Sequence, residues 1–223
     1  MTDYQTARFN MVESQIHPSN VCDQRLLKAI LEVPRELFVP QAHRSVAYMD
    51  GPVRLESEGG TARYLLEPRV FAKLVALCDI HPDDVVLDVG CASGYSTVVL
   101  ARLAGAVVGL ECDPGLAQKA DAVLTELGVD NGAVVTGPLE AGYPSEGPYD
   151  VILLNGSVPD VPPVLLDQLK EGGRLVAVQT EGSQTGGSAK IYVRSNGAIG
   201  CRTDFDAAAD PLPGFELAKT FTF

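Results

Sequence analysis

The 223-residue sequence has no tryptophan, only three histidines and no run of five or more basic residues. Lys and Arg number 17 against 29 Asp and Glu, which gives a net charge of −12. Because neutralisation of phosphates dominates the affinity of proteins for duplex nucleic acid, this composition argues against a nucleic-acid partner. Taken alone, the acidity indicates little more than solubility.

The sequence also lacks cysteines at the spacings typical of metal sites or disulfide frameworks. The five cysteines are odd in number and show no C-x-x-C spacing. Several lie in or beside apolar runs, where a free thiol behaves as a small apolar side chain. We therefore expect neither a disulfide framework nor a metal site.

Long apolar segments are absent as well. Residues 1–5 lack the charged-then-apolar pattern of a signal peptide. No apolar stretch approaches the ~18 residues that a membrane span needs. These absences predict a reduced, cytoplasmic protein with no membrane partner. With 46% hydrophobic residues, the chain can bury one sizeable core.

The most informative segment that is present covers residues 85–101. Val85 to Val89 are mostly apolar and β-branched, which predicts a buried parallel strand. A turn of small residues and then a helix-periodic run follow. Glycine in such a turn lets the backbone approach a ligand closely. Glu111 ends the next apolar run, about 20 residues after the turn, where the acid that holds the ribose hydroxyls lies in nucleotide-binding folds.

The alternation of apolar runs and helical periods after residue 85 predicts an α/β fold. The further predicted strands are 106–110, 133–136, 149–155, 174–178 and 190–194, and the tail Phe215–Phe223 is a candidate for a last edge strand. The predicted helices among them start at Pro114 and at Pro163, the second running to Leu169. This pattern is typical of a doubly wound, mostly parallel sheet, whose ligand lies at the carboxyl ends of the strands.

The first part of the chain has a different character. Residues 3–33 show helical spacing with a break near Pro18, and Asp23 is a plausible helix N-cap. Residues 51–67 show no period and predict an irregular loop, of the kind that often serves as a lid. We expect one compact domain, with a helical cap and substrate loop in residues 1–67 and the ligand-binding core in residues 68–223.

The turn itself distinguishes between nucleotide ligands. It has the form Gly90-x-Ala92-x-Gly94, and Thr97 stands where a dinucleotide site requires a third small residue. A D-x-G-x-x-x-G pattern that starts at Asp88, combined with an acid ending the next strand, favours S-adenosylmethionine instead. A dinucleotide-dependent oxidoreductase is a distant alternative, and a turn with no ligand is the other.

Several strings in the chain match a known family. The most specific is Val33-Pro34-Arg35-Glu36-Leu37-Phe38-Val39-Pro40, a V-P-R-x-x-F-V-P string. The other matching segments are 11–16, 21–30, 47–50, 85–101, 148–153 and 165–176. Over roughly residues 8–195 the chain resembles the protein-L-isoaspartate O-methyltransferases.

The resemblance implies a seven-stranded, Rossmann-like methyltransferase fold with an N-terminal helical cap. It also implies methyl transfer from S-adenosyl-L-methionine to the α-carboxyl group of isoaspartyl residues in damaged proteins, a protein-repair activity that releases S-adenosyl-L-homocysteine. The residues predicted to bind the cofactor are Asp88, Gly90, Cys91, Ala92, Gly94, Glu111, Cys112, Gly137, Leu139 and Asn155. Among them, Glu111 would hold the ribose hydroxyls and Cys112 would flank the adenine.

The chain departs from the family pattern in three places. In the substrate loop, Leu66 stands at the position of a serine, which leaves Thr61 as the candidate hydroxyl. Pro138 replaces an acid that meets the adenine amine, and proline offers no side-chain acceptor. The characteristic C-terminal ending of the family is absent.

Methyl transfer to a carboxylate needs no general base, because the group is already ionised at pH 7. Orientation and exclusion of water remain as the tasks of the protein. We therefore predict Thr61 and Arg63 as the catalytic residues, with Arg63 or Arg69 gripping the acceptor carboxylate through a guanidinium group. The alternatives are a methyltransferase with another acceptor, either a small molecule or another protein group, and a non-catalytic binding protein on the same fold.

Overall fold

The computed structural model describes residues 3–57, 62–180 and 186–216. Its cap contains α1 (Tyr4–Met11), a π-helical turn, a 3-10 turn and then α2 (Gln24–Glu32). The side chain of Asp23 accepts a hydrogen bond from the backbone N–H of Arg25, which confirms the predicted N-cap. Two 3-10 segments, Arg35–Phe38 and Gln41–Val46, complete the cap.

The segment 51–67 is not the irregular loop that the sequence predicts. It contains β1 (Val53–Leu55) and β2 (Arg63–Leu65), which pair antiparallel with Val53 opposite Leu65. Strands of three residues are too short for an alternation of apolar and polar positions to stand out in the sequence. Residues 58–61 lie outside the described residues, and Thr61 is among them.

The main sheet has seven strands in the order β5-β4-β3-β6-β7-β8-β9. They are β3 (Val85–Val89), β4 (Ala106–Glu111), β5 (Gly132–Thr136), β6 (Tyr149–Val158), β7 (Leu169–Thr180), β8 (Gly186–Ser195) and β9 (Ala198–Ala208). The first five in this order run parallel, whereas β8 and β9 are antiparallel. The predicted doubly wound, mostly parallel sheet is confirmed, and its strand order reverses between β3 and β6.

The predicted edge strand at Phe215–Phe223 is wrong for the part of it that is described. The seventh strand is β9, which follows β8 through a tight turn at Asn196 and Gly197, both with positive φ. Phe215 and Glu216 lie in no strand, and residues 217–223 lie outside the described residues. Most side chains of β9 are exposed, so its sequence lacks the apolar alternation of a half-buried strand.

The helices that cover the sheet are α3 (Pro68–Cys78), α4 (Tyr95–Ala101), α5 (Pro114–Glu126) and α6 (Pro163–Leu166). The last is shorter than the predicted helix 163–169, because Leu169 already pairs with Tyr149 as the start of β7. No helix among the described residues is both long and apolar enough to cross a membrane.

Two apolar clusters hold the layers together. One joins the cap to one face of the sheet and includes Met11, Leu26, Val86 and Val176. The other fills the opposite face and includes Leu139, Leu154 and Leu212. Because residues of the cap and of the sheet share one cluster, the cap packs directly against the sheet. The division at residue 67 stays a prediction.

Candidate active site

The turn after β3 lies at the point where the strand order reverses, which is where open α/β sheets bind their ligands. Gly90, Ala92 and Gly94 all have positive φ, of 78°, 53° and 90°. The N–H groups of Gly90 and Cys91 donate to the carbonyl of Leu110, at 2.8 and 3.1 Å. These bonds fold the turn over the end of β4 and bring it to Glu111.

Glu111 is completely buried, and both of its carboxylate oxygens accept hydrogen bonds. Oε2 accepts from the backbone N–H of Ala92 and from Nη2 of Arg63, both at 2.7 Å. Oε1 accepts from the backbone N–H groups of Cys112 and Asp113, at 3.0 and 3.1 Å. The carboxylate therefore ties together the glycine turn, the end of β4 and the β1–β2 hairpin.

A second buried carboxylate lies beneath the turn. Oδ2 of Asp88 accepts from the hydroxyls of Ser96 and Thr97, at 2.6 and 2.7 Å, and Oδ1 accepts from the Asn155 amide at 2.7 Å. Burial raises the pKa of Asp88 to about 6, although these three hydrogen bonds oppose the rise. Asp88 and Asn155 thus bind each other and the start of α4, which fixes the position of the turn.

Two side chains fill the space directly above Gly90. A Cβ atom at this position would lie 2.7 Å from Cδ2 of Leu212 and 3.1 Å from Nη2 of Arg63. Nη2 of Arg63 also donates to the Gly90 carbonyl at 3.1 Å. Leu139, fully buried, lies on the same side. Only a glycine allows these groups to approach the backbone so closely.

The structure gives Gly94 a different neighbour. A Cβ atom on Gly94 would lie 2.9 Å from Cβ of Ala120, on α5. The absence of a side chain at this position therefore permits α4 and α5 to pack closely, in addition to any role toward a ligand.

Gly137 and Cys112 lie beside Glu111. The N–H of Gly137 donates to the backbone carbonyl of Glu111 at 3.0 Å. The pKa of the Cys112 thiol is raised to about 11, chiefly by burial.

The two arginines predicted for the acceptor lie in different environments. Arg63 is 4% exposed and forms its ion pair with Glu111, and its Nε has no hydrogen-bond partner among the described residues. Arg69 pairs with Glu67 at 2.7 Å, and its side chain is 46% exposed. Of the two, the structure places Arg63 at the glycine turn.

A shallow depression of about 10 Å³, room for about one water molecule, lies beside the turn. Its lining includes Arg35, Tyr64, Leu66, Phe71, Cys91 and Asn155. It lies between the hairpin, the cap and the carboxyl ends of β3 and β6.

The V-P-R-x-x-F-V-P string has a structural explanation in this region. Arg35 is 1% exposed and donates to the carbonyls of Ala47 and Leu66, at 2.8 and 2.7 Å. Its guanidinium lies 4.7 Å from the ring centre of Tyr95, and burial lowers its pKa. The ring of Phe38 packs edge-on against that of Tyr95 at 5.5 Å. The string therefore fastens the cap to the start of α4.

Comparison with known proteins identifies the family of the chain. The model of the Protein-L-isoaspartate(D-aspartate) O-methyltransferase family matches residues 7–205. The chain belongs to this family. Its members are S-adenosylmethionine-dependent carboxyl O-methyltransferases, so the resemblance based on the sequence is confirmed.

Individual relatives carry the same name. A protein-L-isoaspartate O-methyltransferase of Methanoculleus marisnigri is 40% identical over 170 residues, which are 76% of each chain. One of Syntrophobacter fumaroxidans is 38% identical over 176 residues, covering 79% of this chain and 80% of the relative.

Two solved structures share the fold. One, a protein-L-isoaspartate O-methyltransferase, has a TM-score of 0.80 at 23% identity and covers 95% of this chain and 67% of its own. The other comes from Plasmodium falciparum and is a complex with S-adenosyl-L-homocysteine. It has a TM-score of 0.76 at 22% identity, covering 96% of this chain and all of its own.

The residues of the turn suit the family's methyl donor. The backbone of Gly90 is free of a Cβ, and Glu111 provides a carboxylate at the end of β4, as a ribose-binding acid requires. Pro138 caps the short 3-10 turn Leu139–Ala141 without a side-chain hydrogen bond. Pro138 therefore offers no side-chain acceptor to a methyl donor. The assignment of Gly90 and Glu111 to the donor stays a prediction from the sequence. Leu212 carried no signal there, because it is a single leucine in an irregular segment.

Proposed function

We propose that the protein methylates the α-carboxylate of L-isoaspartyl residues in damaged peptides and proteins, with S-adenosyl-L-methionine as donor. The proposal rests on one observation. The glycine turn at Gly90 and the buried carboxylate of Glu111 lie next to each other where the strand order reverses between β3 and β6. The family match over residues 7–205 supports it.

The chemistry asks little of titrating side chains. S-adenosyl-L-methionine supplies an electrophilic methyl group when it is bound. The acceptor carboxylate is ionised at neutral pH and attacks without a base. Holding two reactants in line contributes on the order of 7–11 kcal/mol to catalysis. The protein therefore acts by orienting the acceptor and by excluding water.

We assign the two halves of this task to different parts of the site. Gly90, Cys91 and Ala92, with Glu111, Cys112, Gly137 and Leu139, would line the donor, and Glu111 would accept from its ribose hydroxyls. Asp88, Asn155 and Gly94 would act indirectly, by fixing the position of the turn. Asp88 binds Ser96, Thr97 and Asn155, and Gly94 packs against α5.

Arg63 is our candidate for the acceptor side. It is nearly fully buried, and its Nε has no partner among the described residues, so a donor is free for an anionic ligand. A guanidinium can bind a carboxylate with two parallel hydrogen bonds. Thr61 remains a second candidate from the sequence, although it lies outside the described residues.

Transfer of labelled methyl groups to an isoaspartyl peptide and to its aspartyl isomer tests the proposal. We expect a base-labile methyl ester on the isoaspartyl peptide alone. Arg63→Gln should lower kcat/KM for the peptide by at least about tenfold, since one charged hydrogen bond is worth about 1.5–3 kcal/mol. Arg69→Gln is the matched control and should stay within about twofold of the wild type, since exposed pairs contribute little. Equal rates for Arg63→Gln and the wild type would refute the role of Arg63.

A different acceptor is the second candidate function. It is favoured by Leu66, which is buried and offers only its carbonyl, already bound to Arg35, where the family has a hydroxyl. Methylation of neither peptide, together with binding of S-adenosyl-L-homocysteine, would support this alternative. Absence of such binding up to millimolar ligand would favour a non-catalytic role.

We also propose that the protein works in the cytoplasm. All five cysteines are unpaired, and Cys22 and Cys201 are exposed. Exposed thiols persist in compartments that keep cysteines reduced. Fractionation of cells that express a tagged copy would test this location.

A further inference from the structure

The C-terminal segment 209–216 lies across the mouth of the site. The N–H of Ser157, near the end of β6, donates to the carbonyl of Asp210, and the N–H of Leu212 donates to the carbonyl of Ser157, both at 2.9 Å. Ser157 and Pro211 thus form an isolated parallel bridge. Leu212 is 2% exposed and Phe215 is 6% exposed. Two backbone bonds and two apolar side chains hold the segment in place.

The side chain of Leu212 fills the gap that two glycines leave open. A Cβ atom on Gly90 would lie 2.7 Å from Cδ2 of Leu212, and one on Gly156 would lie 2.7 Å from its Cγ. Both glycines stand at the carboxyl ends of the strands on either side of the switch point. This is the place where the fold allows a ligand to approach the backbone. A leucine side chain and a donor molecule cannot share it.

Arg63 occupies the polar half of the same space. Its Nη2 binds the carbonyl of Gly90 at 3.1 Å and the carboxylate of Glu111 at 2.7 Å. These are acceptors that a ligand with cationic and hydroxyl groups would need. The guanidinium therefore provides a donor to both of these acceptors in the closed arrangement.

We propose that segment 209–216, through Leu212, is a gate that closes the methyl-donor site and must leave before S-adenosyl-L-methionine binds, while Arg63 releases Glu111. This inference rests on the proposed function. If the donor binds only the open state, its apparent affinity equals its affinity for that state multiplied by the fraction of protein molecules that are open.

Hydrogen exchange measured with and without saturating S-adenosyl-L-homocysteine tests the gate directly. Ligand binding ordinarily slows exchange near a site. Here we expect faster exchange at the amides of Leu212 and Ser157, because opening breaks both bonds of the bridge, and unchanged or slower exchange in β3 and β4. Unchanged or slower exchange at Leu212 and Ser157 in the ligand-bound protein would overturn the gate and leave the proposed function intact.

Calorimetric titration with S-adenosyl-L-homocysteine tests the gate a second time, through the ligand affinity of two variants. Leu212→Ala should bind about tenfold more tightly than the wild type, since it weakens the closed state and raises the open fraction. Leu165→Ala is the matched control, because Leu165 is equally buried in the same apolar cluster but lies beside Gly142, away from the turn. It should bind as the wild type does.

The outcomes separate the two proposals. Equal affinity of Leu212→Ala and the wild type would overturn the gate, and so would an equal gain in Leu165→Ala. No binding to any of the three proteins would overturn both the gate and the proposed function. Binding to Leu212→Ala alone would support the gate and show that the donor site is functional once it is open.

Discussion

Asp88 shows how a single buried carboxylate can fix the position of the glycine turn. Its carboxylate is completely buried, and among the described residues it accepts hydrogen bonds from Ser96, Thr97 and Asn155 beneath the turn. Burial disfavours the charged form, and the nearby Glu111 adds to this effect, so the pKa of Asp88 rises from 3.8 to about 6. The sequence places Asp88 among the cofactor-binding residues, and that role stays a prediction. Its hydrogen bonds in the structure are with the start of α4 and with β6.

This shift predicts a pH dependence of stability that belongs to Asp88. Between pH 3.8 and about 6, folded Asp88 retains a proton that the unfolded chain has released. The folded state then binds more protons, so stability falls as pH rises through this window. Urea unfolding at steps from pH 4 to pH 7 should show this fall in the wild type relative to Asp88→Asn, whose amide does not titrate. Parallel stability curves for the two proteins would contradict it.

At the scale of elements, the 3-10 segment Arg35–Phe38 connects the cap to the core through hydrogen bonds and a cation–π contact. Arg35 reaches the carbonyl of Ala47 in the cap and that of Leu66 after β2, and its guanidinium stacks on Tyr95 of α4. Ser93 donates from its hydroxyl to the carbonyl of Phe38 at 2.6 Å, which joins the same segment to the turn. The string thus joins the cap to the end of the hairpin, to the glycine turn and to α4.

Arg35→Met should therefore loosen the cap. The substitution keeps the apolar stem but leaves two buried carbonyls without donors, and we expect a loss of about 2–4 kcal/mol in the free energy of unfolding. Urea denaturation would measure it. Arg102→Met, at an exposed position, serves as control and should change stability by less than about 0.5 kcal/mol. A loss at Arg35 no larger than that at Arg102 would show that the cap is held by apolar packing alone.

The contact between α4 and α5 makes a second prediction at this scale. Gly94 has φ of 90°, and a Cβ there would lie 2.9 Å from Cβ of Ala120. Gly94→Ala should cost about 2–3 kcal/mol, because strain in the left-handed backbone adds to the steric clash. Gly128→Ala isolates the backbone part, since Gly128 has φ of 64° with no atom within 4 Å of its Cβ position, and it should cost about 1 kcal/mol. Thermal unfolding would compare them, and equal costs would contradict the packing role of Gly94.

At the scale of the whole molecule, the sequence predicted what depends on local pattern. The inner parallel strands β3, β4 and β6 are almost entirely buried and appear as apolar runs. Glu111 could be identified because it ends one of them. The hairpin β1–β2 and the exposed strand β9 carry no such pattern. The position of Leu212 depends on hydrogen bonds to Ser157, more than fifty residues earlier in the chain, and the sequence near Leu212 gives no sign of it. Arg63 was expected at the site, but its pairing with Glu111 was not.

Ligand-dependent stability tests the molecule as one unit. Thr97, where a dinucleotide site needs a small residue, fills the space beside Gly109 with Oγ1 only 2.7 Å from the position of a Cβ there, and it donates to Asp88. We therefore expect S-adenosyl-L-homocysteine, but not NAD, to stabilise the protein. At a hundred times its Kd, a ligand adds about 2.7 kcal/mol. In a chain of this size that corresponds to a rise in Tm of about 5–10 °C. NAD at the same concentration is the control, and an equal rise with NAD would contradict the assignment of the turn to a methyl donor.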